Sequence, residues 1–309
     1  MSHHSSSSPA TTRNLSNSIP VGAGPRGIAI NNDGSRVFVC NYISGNVSVI
    51  NTRNRKVIRT IAVEHYPQNI VLAHGGKRAY VTNYGSSSVS VIDTKTYEVG
   101  HVRVGRHPWG VVVSRDGKHV YVTVRQDKEW LAIIDTQTYA VSRVRGLPSP
   151  SISVDISQDD SRLYISSTNS PGGPYQDALT IISSKTFQVL DIIKTEKYPS
   201  AVTVSPDDRE VYIVCLDAQK LTVLDPKLST TRHFDFVTCE GKIVFGKKNA
   251  YAVDQTKKEV VEINTVTYEI VRRVSIPDAS EPYDMVIDQR NRAYISDYQS
   301  DKVHRVDLA

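Results

Sequence analysis

The sequence predicts an all-β chain closed into a ring of seven four-stranded antiparallel blades. Three observations predict it: a repeat of about forty residues, alternating strand and turn signals inside each repeat, and an N-terminal segment that supplies what the last repeat lacks. The segments RVFVCN (36–41), RAYVTN (78–83), HVYVTV (119–124), RLYISS (162–167), EVYIVC (210–215), NAYAVD (249–254) and RAYISD (292–297) place an aromatic residue at Phe38, Tyr80, Tyr121, Tyr164, Tyr212, Tyr251 and Tyr294. The intervals are 42, 41, 43, 48, 39 and 43 residues. A period of ~40–45 residues carrying only strand signals is what propeller blades produce.

The third repeat gives the elements in order. Trp109 to Val113 reads as an innermost strand A, apolar on successive residues and therefore covered on both faces. A Ser-Arg-Asp-Gly turn (114–117) follows, then strand B from His119 to Val124, strand C from Leu131 to Asp135 and strand D from Tyr139 to Val144. The seventh repeat stops after its strand C, at Lys302 to Leu308. Leu15 to Gly22 matches the strand-D ends of other repeats, such as His101 to Gly105, so the N-terminus is expected to complete the last blade and shut the ring. One domain over 14–309 follows, preceded by a tail or tag at 1–13. Arg53, Arg55, Lys56, Arg59, Arg103, Arg143, Arg145, Arg272 and Arg273 fall on outer strands, where such charges discourage edge-to-edge pairing.

Of 309 residues, 39% are hydrophobic and 22% charged, which excludes wholesale disorder and fibrous repeats. No stretch approaches the ~18 apolar residues of a membrane span, and residues 1–20 lack the apolar block of a secretory signal. The chain as given reads as cytoplasmic; a native signal peptide replaced by the His-Ser run would make it periplasmic or exported. Cys40, Cys215 and Cys239 have no metal or redox spacing and read as buried thiols. A net charge of +5 is too mild to demand nucleic acid.

Tyr80-Val81-Thr82-Asn83, followed by Ser-Val-Ser-Val-Ile-Asp-Thr (88–94), resembles the YVTN-repeat β-propeller family from about Ile19 to the last residue. The resemblance implies the propeller fold and allows single-stranded nucleic-acid binding; it does not assign a function.

With strands running from axis to rim, the D–A and B–C loops emerge on one face, here called the top, and converge on an axial funnel. Equivalent slots can be compared within this one chain. The residue after the marker aromatic hardly varies: Val39, Val81, Val122, Ile165, Ile213, Ala252, Ile295. The slot after the D–A proline instead reads Arg26, Gln68, Trp109, Ser151, Ser200, Gly241 and Tyr283, and the slot before it Gly24, Tyr66, His107, Pro150, Tyr198, Glu240 and Glu281. Uniform blades around an irregular axis point to an asymmetric site for one partner. Tyr42, Tyr66, Tyr84, Tyr175, Tyr198, Tyr283 and Tyr298 also fall in top loops, joined by Trp109 and Trp130, and such rings suit flat ligands, sugars, peptides or bases. A Pro- and Gly-rich B–C connection (168–177) is long enough to form a rim wall or lid.

No HExxH, GxSxG, phosphate loop or metal-ligand spacing occurs, so no cofactor or metal is expected. The acid–base candidates are His107 and Glu281, with Arg26 to hold or polarise a carboxylate or carbonyl. His65, Tyr66, Gln68, Trp109, Arg125, Tyr175, Tyr198, Lys242 and Tyr283 are the ligand-binding candidates. The first expectation is a binding propeller with a small or extended ligand in the funnel. The second is an enzyme using the same funnel for acid–base chemistry, as lyase, hydrolase or cyclase. Nucleic-acid binding stands third, because acidic residues offset the basic ones around the mouth.

Overall fold

The computed structural model describes residues 17–125, 130–147, 150–168, 177–227, 229–237, 240–246 and 248–308. Its seven sheets each hold four antiparallel strands. The inner strands are Pro25–Ile30, Pro67–Ala73, Pro108–Val113, Ser151–Ile156, Pro199–Val204, Val244–Phe245 and Pro282–Ile287. Among the described residues the one helical element is a 3-10 turn at His74–Gly76, and no helix is long and apolar enough to cross a membrane. The expected tail over 1–13 lies outside the described residues, as does Cys239. Cys40 and Cys215 are buried thiols, and burial pushes that of Cys215 up to about 11.

The core lies between blades. Seven apolar clusters form, each drawing on two neighbouring blades, so every interface has its own. The marker aromatics are the large buried members of these clusters; Tyr80 and Tyr294 are fully enclosed.

Ser18–Pro20 is the fourth strand of the last blade, with Ser18 opposite His304, Ile19 opposite Val303 and Pro20 opposite Lys302. Ile19 is buried at the interface of the last and first blades, where it meets Tyr294, Val303 and residues of the Pro25–Ile30 and Arg36–Asn41 strands. Proline is tolerated there because an edge strand needs no donor on its outer side.

The repeated Thr of strand B has a specific task. Six inner strands slip register just after their first residue, for example between Pro67 and Asn69 and between Pro108 and Val111. The slip takes a backbone N–H out of the ladder. A hydroxyl on strand B accepts it: Asn69 N–H donates to Thr82 Oγ1 (3.1 Å), Gly110 to Thr123 Oγ1 (2.8 Å), Ser153 to Ser166 Oγ (3.1 Å) and Asp284 to Ser296 Oγ (3.2 Å). Thr82 and Thr123 pass the bond on, donating to the Trp109 and Ile152 carbonyls of the next blade (2.9 and 2.8 Å).

Two details differ from expectation. The outer strand of the third blade is Val141–Arg145 rather than one opening at Tyr139. The Asp135 carboxylate accepts the N–H groups of Gln137 and Thr138, forming a turn that consumes Tyr139, which takes φ 59°. Tyr97 and Tyr268 sit in equivalent turns at φ 64° and 62°. In the sixth blade the inner strand keeps only Val244 and Phe245. Seven residues separate Val244 from its partner Tyr251, where nine separate Ala29 from Phe38, so this A–B hairpin is two residues short.

Candidate functional site

The top loops are tied in pairs. In six of the seven blades the carbonyl of the residue before the inner strand's first position accepts the N–H of the residue leaving strand B: Gly24 from Tyr42, Tyr66 from Tyr84, His107 from Arg125, Pro150 from Thr168, Tyr198 from Leu216 and Glu281 from Tyr298, at 2.8–3.2 Å. The mouth of the funnel is therefore held by the backbone. Gly24, Tyr66, His107 and Tyr198 all take left-handed φ there (66°, 55°, 55° and 57°), a conformation natural only to the glycine.

Register fixes the axial slots. Asp155 opposes Tyr164 as Ala29 opposes Phe38, so Ile152, not Ser151, shares the slot of Arg26, and Ser151 stands where other blades have proline. Gly241 holds its expected slot, and Glu240 takes the proline position of the sixth blade. The error at Ser151 arose because that blade lacks the proline that marks the slot.

Two groups form. In the first, Arg26 donates to Gln68 Oε1 (2.7 Å), and Gln68 Nε2 donates to the Tyr283 hydroxyl (3.1 Å). The guanidinium carbon lies 4.1, 4.9 and 5.2 Å from the ring centres of Tyr42, Tyr298 and Tyr283, close enough for cation–π attraction. Tyr66, half exposed, stacks on Tyr42 at 4.9 Å. Arg26 Nε is enclosed without an acceptor. Glu240 is open to solvent over the residue as a whole, but its carboxyl sits among these groups. Burial raises its pKa, Glu281 adds to the rise, and Arg26 and the Tyr283 hydroxyl oppose it. Burial also pushes the Tyr283 phenol well above its ordinary range. Deeper, buried Asp284 has its carboxyl raised by burial against the opposing pull of Lys242.

The second group gathers residues of the second and third blades. His107 stacks on Tyr84 (4.6 Å between centres, 19° between planes), Tyr84 meets Trp109 edge-on (5.5 Å), and Arg125 lies over Trp109 at 4.9 Å. Among the described residues the His107 ring has no hydrogen-bonded carboxylate, and no contact joins it to Arg26 or Glu281. His65 is exposed at the edge of the mouth, Tyr198 and Lys242 are half-buried, and Gln68 is fully buried. Tyr175 and the rim-wall loop lie outside the described residues. Tyr42 and Tyr298, which the sequence places in top loops but not among the ligand-binding candidates, complete the cage around Arg26. Their signal was the tyrosine directly after strand B in three blades, at Tyr42, Tyr84 and Tyr298.

A cavity of about 30 Å³ lies at the axis, lined by Asn69, Trp109, Ser200, Glu240, Lys242 and Asp284 among others. Larger clefts, of about 610 and 560 Å³, open on the opposite face beside the short hairpin of the sixth blade. Their carboxylates are engaged at home: Glu210 by Arg232 and the Tyr212 hydroxyl, Glu262 by Arg272. The mouth, with an unanswered donor on Arg26 and a carboxyl of raised pKa, is the better candidate despite its smaller volume. Among the described residues no three His, Cys, Asp or Glu side chains cluster as a metal site.

A family model described as lactonase, 7-bladed β-propeller, matches residues 10–153. No curated protein matches the sequence significantly. Among solved structures the chain is similar to hydrazine synthase of Kuenenia stuttgartiensis, with 19% identity, 99% of each chain covered and a TM-score of 0.83. It is similar to the Swd1 β-propeller domain of Myceliophteria thermophila, with 14% identity over 96% of this chain and 99% of that one and a TM-score of 0.78. It is also similar to a catalytically inactive variant of virginiamycin B lyase from Staphylococcus aureus with quinupristin, with 15% identity, 96% and 97% covered and a TM-score of 0.76. At these identities the likeness is one of fold.

Proposed function

We propose that the chain is a ligand-binding propeller whose top-face funnel holds a flat ligand bearing a carboxylate or carbonyl. The observation that carries this reading is Arg26, a guanidinium fixed by Gln68 and ringed by tyrosines, with one enclosed donor that has no acceptor. Leaving such a donor unmet costs about 1–3 kcal/mol, so the guanidinium is held in this position at a cost to the fold. Trp109 and Arg125 form a second, stacked surface for the ligand's ring system. The test is a thermal-shift screen of aromatic and heterocyclic carboxylates, followed by soaking of the hits. Ligands should raise the melting temperature of the wild type, and Arg26→Ala and Trp109→Ala should abolish the rise. Hits that stabilise Arg26→Ala equally would sink the reading.

A second reading, acid–base catalysis at the same mouth, is favoured by Glu240. Its raised pKa keeps a proton available nearer to neutrality, beside a cation suited to a developing oxyanion. The match of the first half to a lactonase model supports hydrolysis within this reading. Glu240→Gln would then remove turnover while ligand binding persists.

A further inference from the structure

The A–B turns make the face opposite the mouth, and several bond to the turn of the next blade. The Asp160 carboxylate accepts the Arg115 and Asp116 N–H groups (2.7 and 3.0 Å), Asp208 accepts that of Gln158 (2.8 Å), and Gln289 Nε2 donates to the Asn32 carbonyl (2.8 Å). Among the described residues no such bond reaches the turn of the sixth blade, whose hairpin is two residues short. The cleft of about 610 Å³ lies between this hairpin and the seventh blade, within the ~300–1,000 Å³ typical of small-molecule sites. Its floor is apolar, with Tyr251 and Leu308 buried and Phe245 and Ile287 half-buried. Both of its carboxylates are taken by arginines, Glu262 by Arg272 (2.7 Å) and Asp288 by Arg292 (2.5 Å). Lys248 and Arg290, one from each blade, are exposed and have no ion-pair partner among the described residues.

The repeat shows that the charge of Arg290 does not serve its turn. Its slot, just before the turn residue with left-handed φ, holds Asp33, Asp116, Asp159 and Asp207 in four other blades. Each of those carboxylates accepts the N–H two residues on, at 2.8–3.2 Å. In the seventh blade Asp288 accepts the Arg292 N–H instead (3.0 Å), and a cation stands where those blades carry an anion.

We propose that this cleft is a second binding site, separate from the mouth, for a small organic anion. An apolar or aromatic body lies on Phe245 and Ile287, and a carboxylate, sulfonate or phosphate group meets Lys248 and Arg290. The charge is set by complementarity: with both acids spent, the cleft keeps two positive charges.

Fluorescence titration of the full chain with 8-anilinonaphthalene-1-sulfonate tests it, with N-phenyl-1-naphthylamine as the uncharged counterpart. Measurements in an Arg26→Ala background remove the mouth's cation and leave this face untouched. There the sulfonate should saturate one site per chain, and the uncharged compound should bind at least about tenfold more weakly. Lys248→Glu and Arg290→Glu, both at exposed turn positions, should each weaken the sulfonate about tenfold. Lys118→Glu, on the same face at the third blade, should leave it unaltered. No saturable binding, indifference to both reversals, equal loss with Lys118→Glu, or equal affinity for the uncharged compound each overturns the proposal. Sulfonate binding that requires Arg26 also overturns it, by assigning the anion to the mouth, and leaves the reading of the mouth standing.

Discussion

Each letter of the repeated YVTN segment answers to a physical demand at one side chain. Val81 is sealed between blades, Thr82 meets the N–H freed by the slipped inner strand, and Asn83 Nδ2 donates to Ser88 and Ser90 on strand C (3.0 and 2.8 Å). Thr123→Val keeps the shape of its site but strands the Gly110 N–H and the Ile152 carbonyl. It should cost about 1–3 kcal/mol in urea unfolding, whereas an exposed Thr→Val change should be near neutral. The marker tyrosine behaves differently. Tyr80 is enclosed with no partner for its hydroxyl, burial pushes its phenol up to about 12, and the first blade has Phe38 in the same slot. Tyr80→Phe should therefore leave stability unchanged or raise it by up to about 1 kcal/mol. The sequence shows that these positions are fixed; it does not show that a hydroxyl serves a bulge, because a slip of one residue leaves no compositional trace.

Among the elements, the closing strand and the shortened inner strand invite measurement. Ile19→Ala should cost about 2–5 kcal/mol, since it empties the interface that shuts the ring. Behind that strand lies the buried pair His304–Asp297 (3.0 Å), with Ser18 Oγ at 3.1 Å from the other ring nitrogen and Ser300 Oγ at 3.5 Å. Burial alone would raise the Asp297 carboxyl; hydrogen bonds from His304 and from the Ser280 and Glu281 N–H groups reverse this and hold it well below 3.8. A carboxyl depressed in the folded state stabilises fully above its unfolded pKa and loses that contribution as pH falls. The wild type should thus lose stability below about pH 4 more steeply than Asp297→Asn, as read by urea midpoints. Asp284 and Glu240, raised rather than lowered, act in the opposite sense in both proteins, so the difference isolates Asp297. In the sixth blade, amides of Val244 and Phe245 should exchange faster than those of Val202 to Val204, whose strand is full length. The closing strand was legible because it copies other outer strands. The short hairpin showed only as the 39-residue interval between Tyr212 and Tyr251, a number that does not say which connection lost length.

Across the whole molecule, stability is divided among seven interfaces, and the blades differ at the mouth and at the short hairpin of the sixth blade on the opposite face. The strand pattern and the closure were readable from periodicity, because packing repeats with the blade. The grouping of side chains at the mouth was not: which tyrosines surround Arg26, and that His107 lies against Tyr84 rather than a carboxylate, depend on loop paths that no period encodes. The left-handed backbone before the inner strands carries a consequence of its own. A chain selected for folding alone would place glycine at all four such corners, yet it does so only at Gly24 and carries bulky rings at Tyr66, His107 and Tyr198. Tyr66→Gly should shift the unfolding free energy by no more than about 1 kcal/mol, relief of the strained corner offsetting the added freedom of the unfolded chain. Three rings kept where the backbone would rather have none are a toll levied on the scaffold, and under the proposed binding reading what the toll sustains is whatever comes to rest against them.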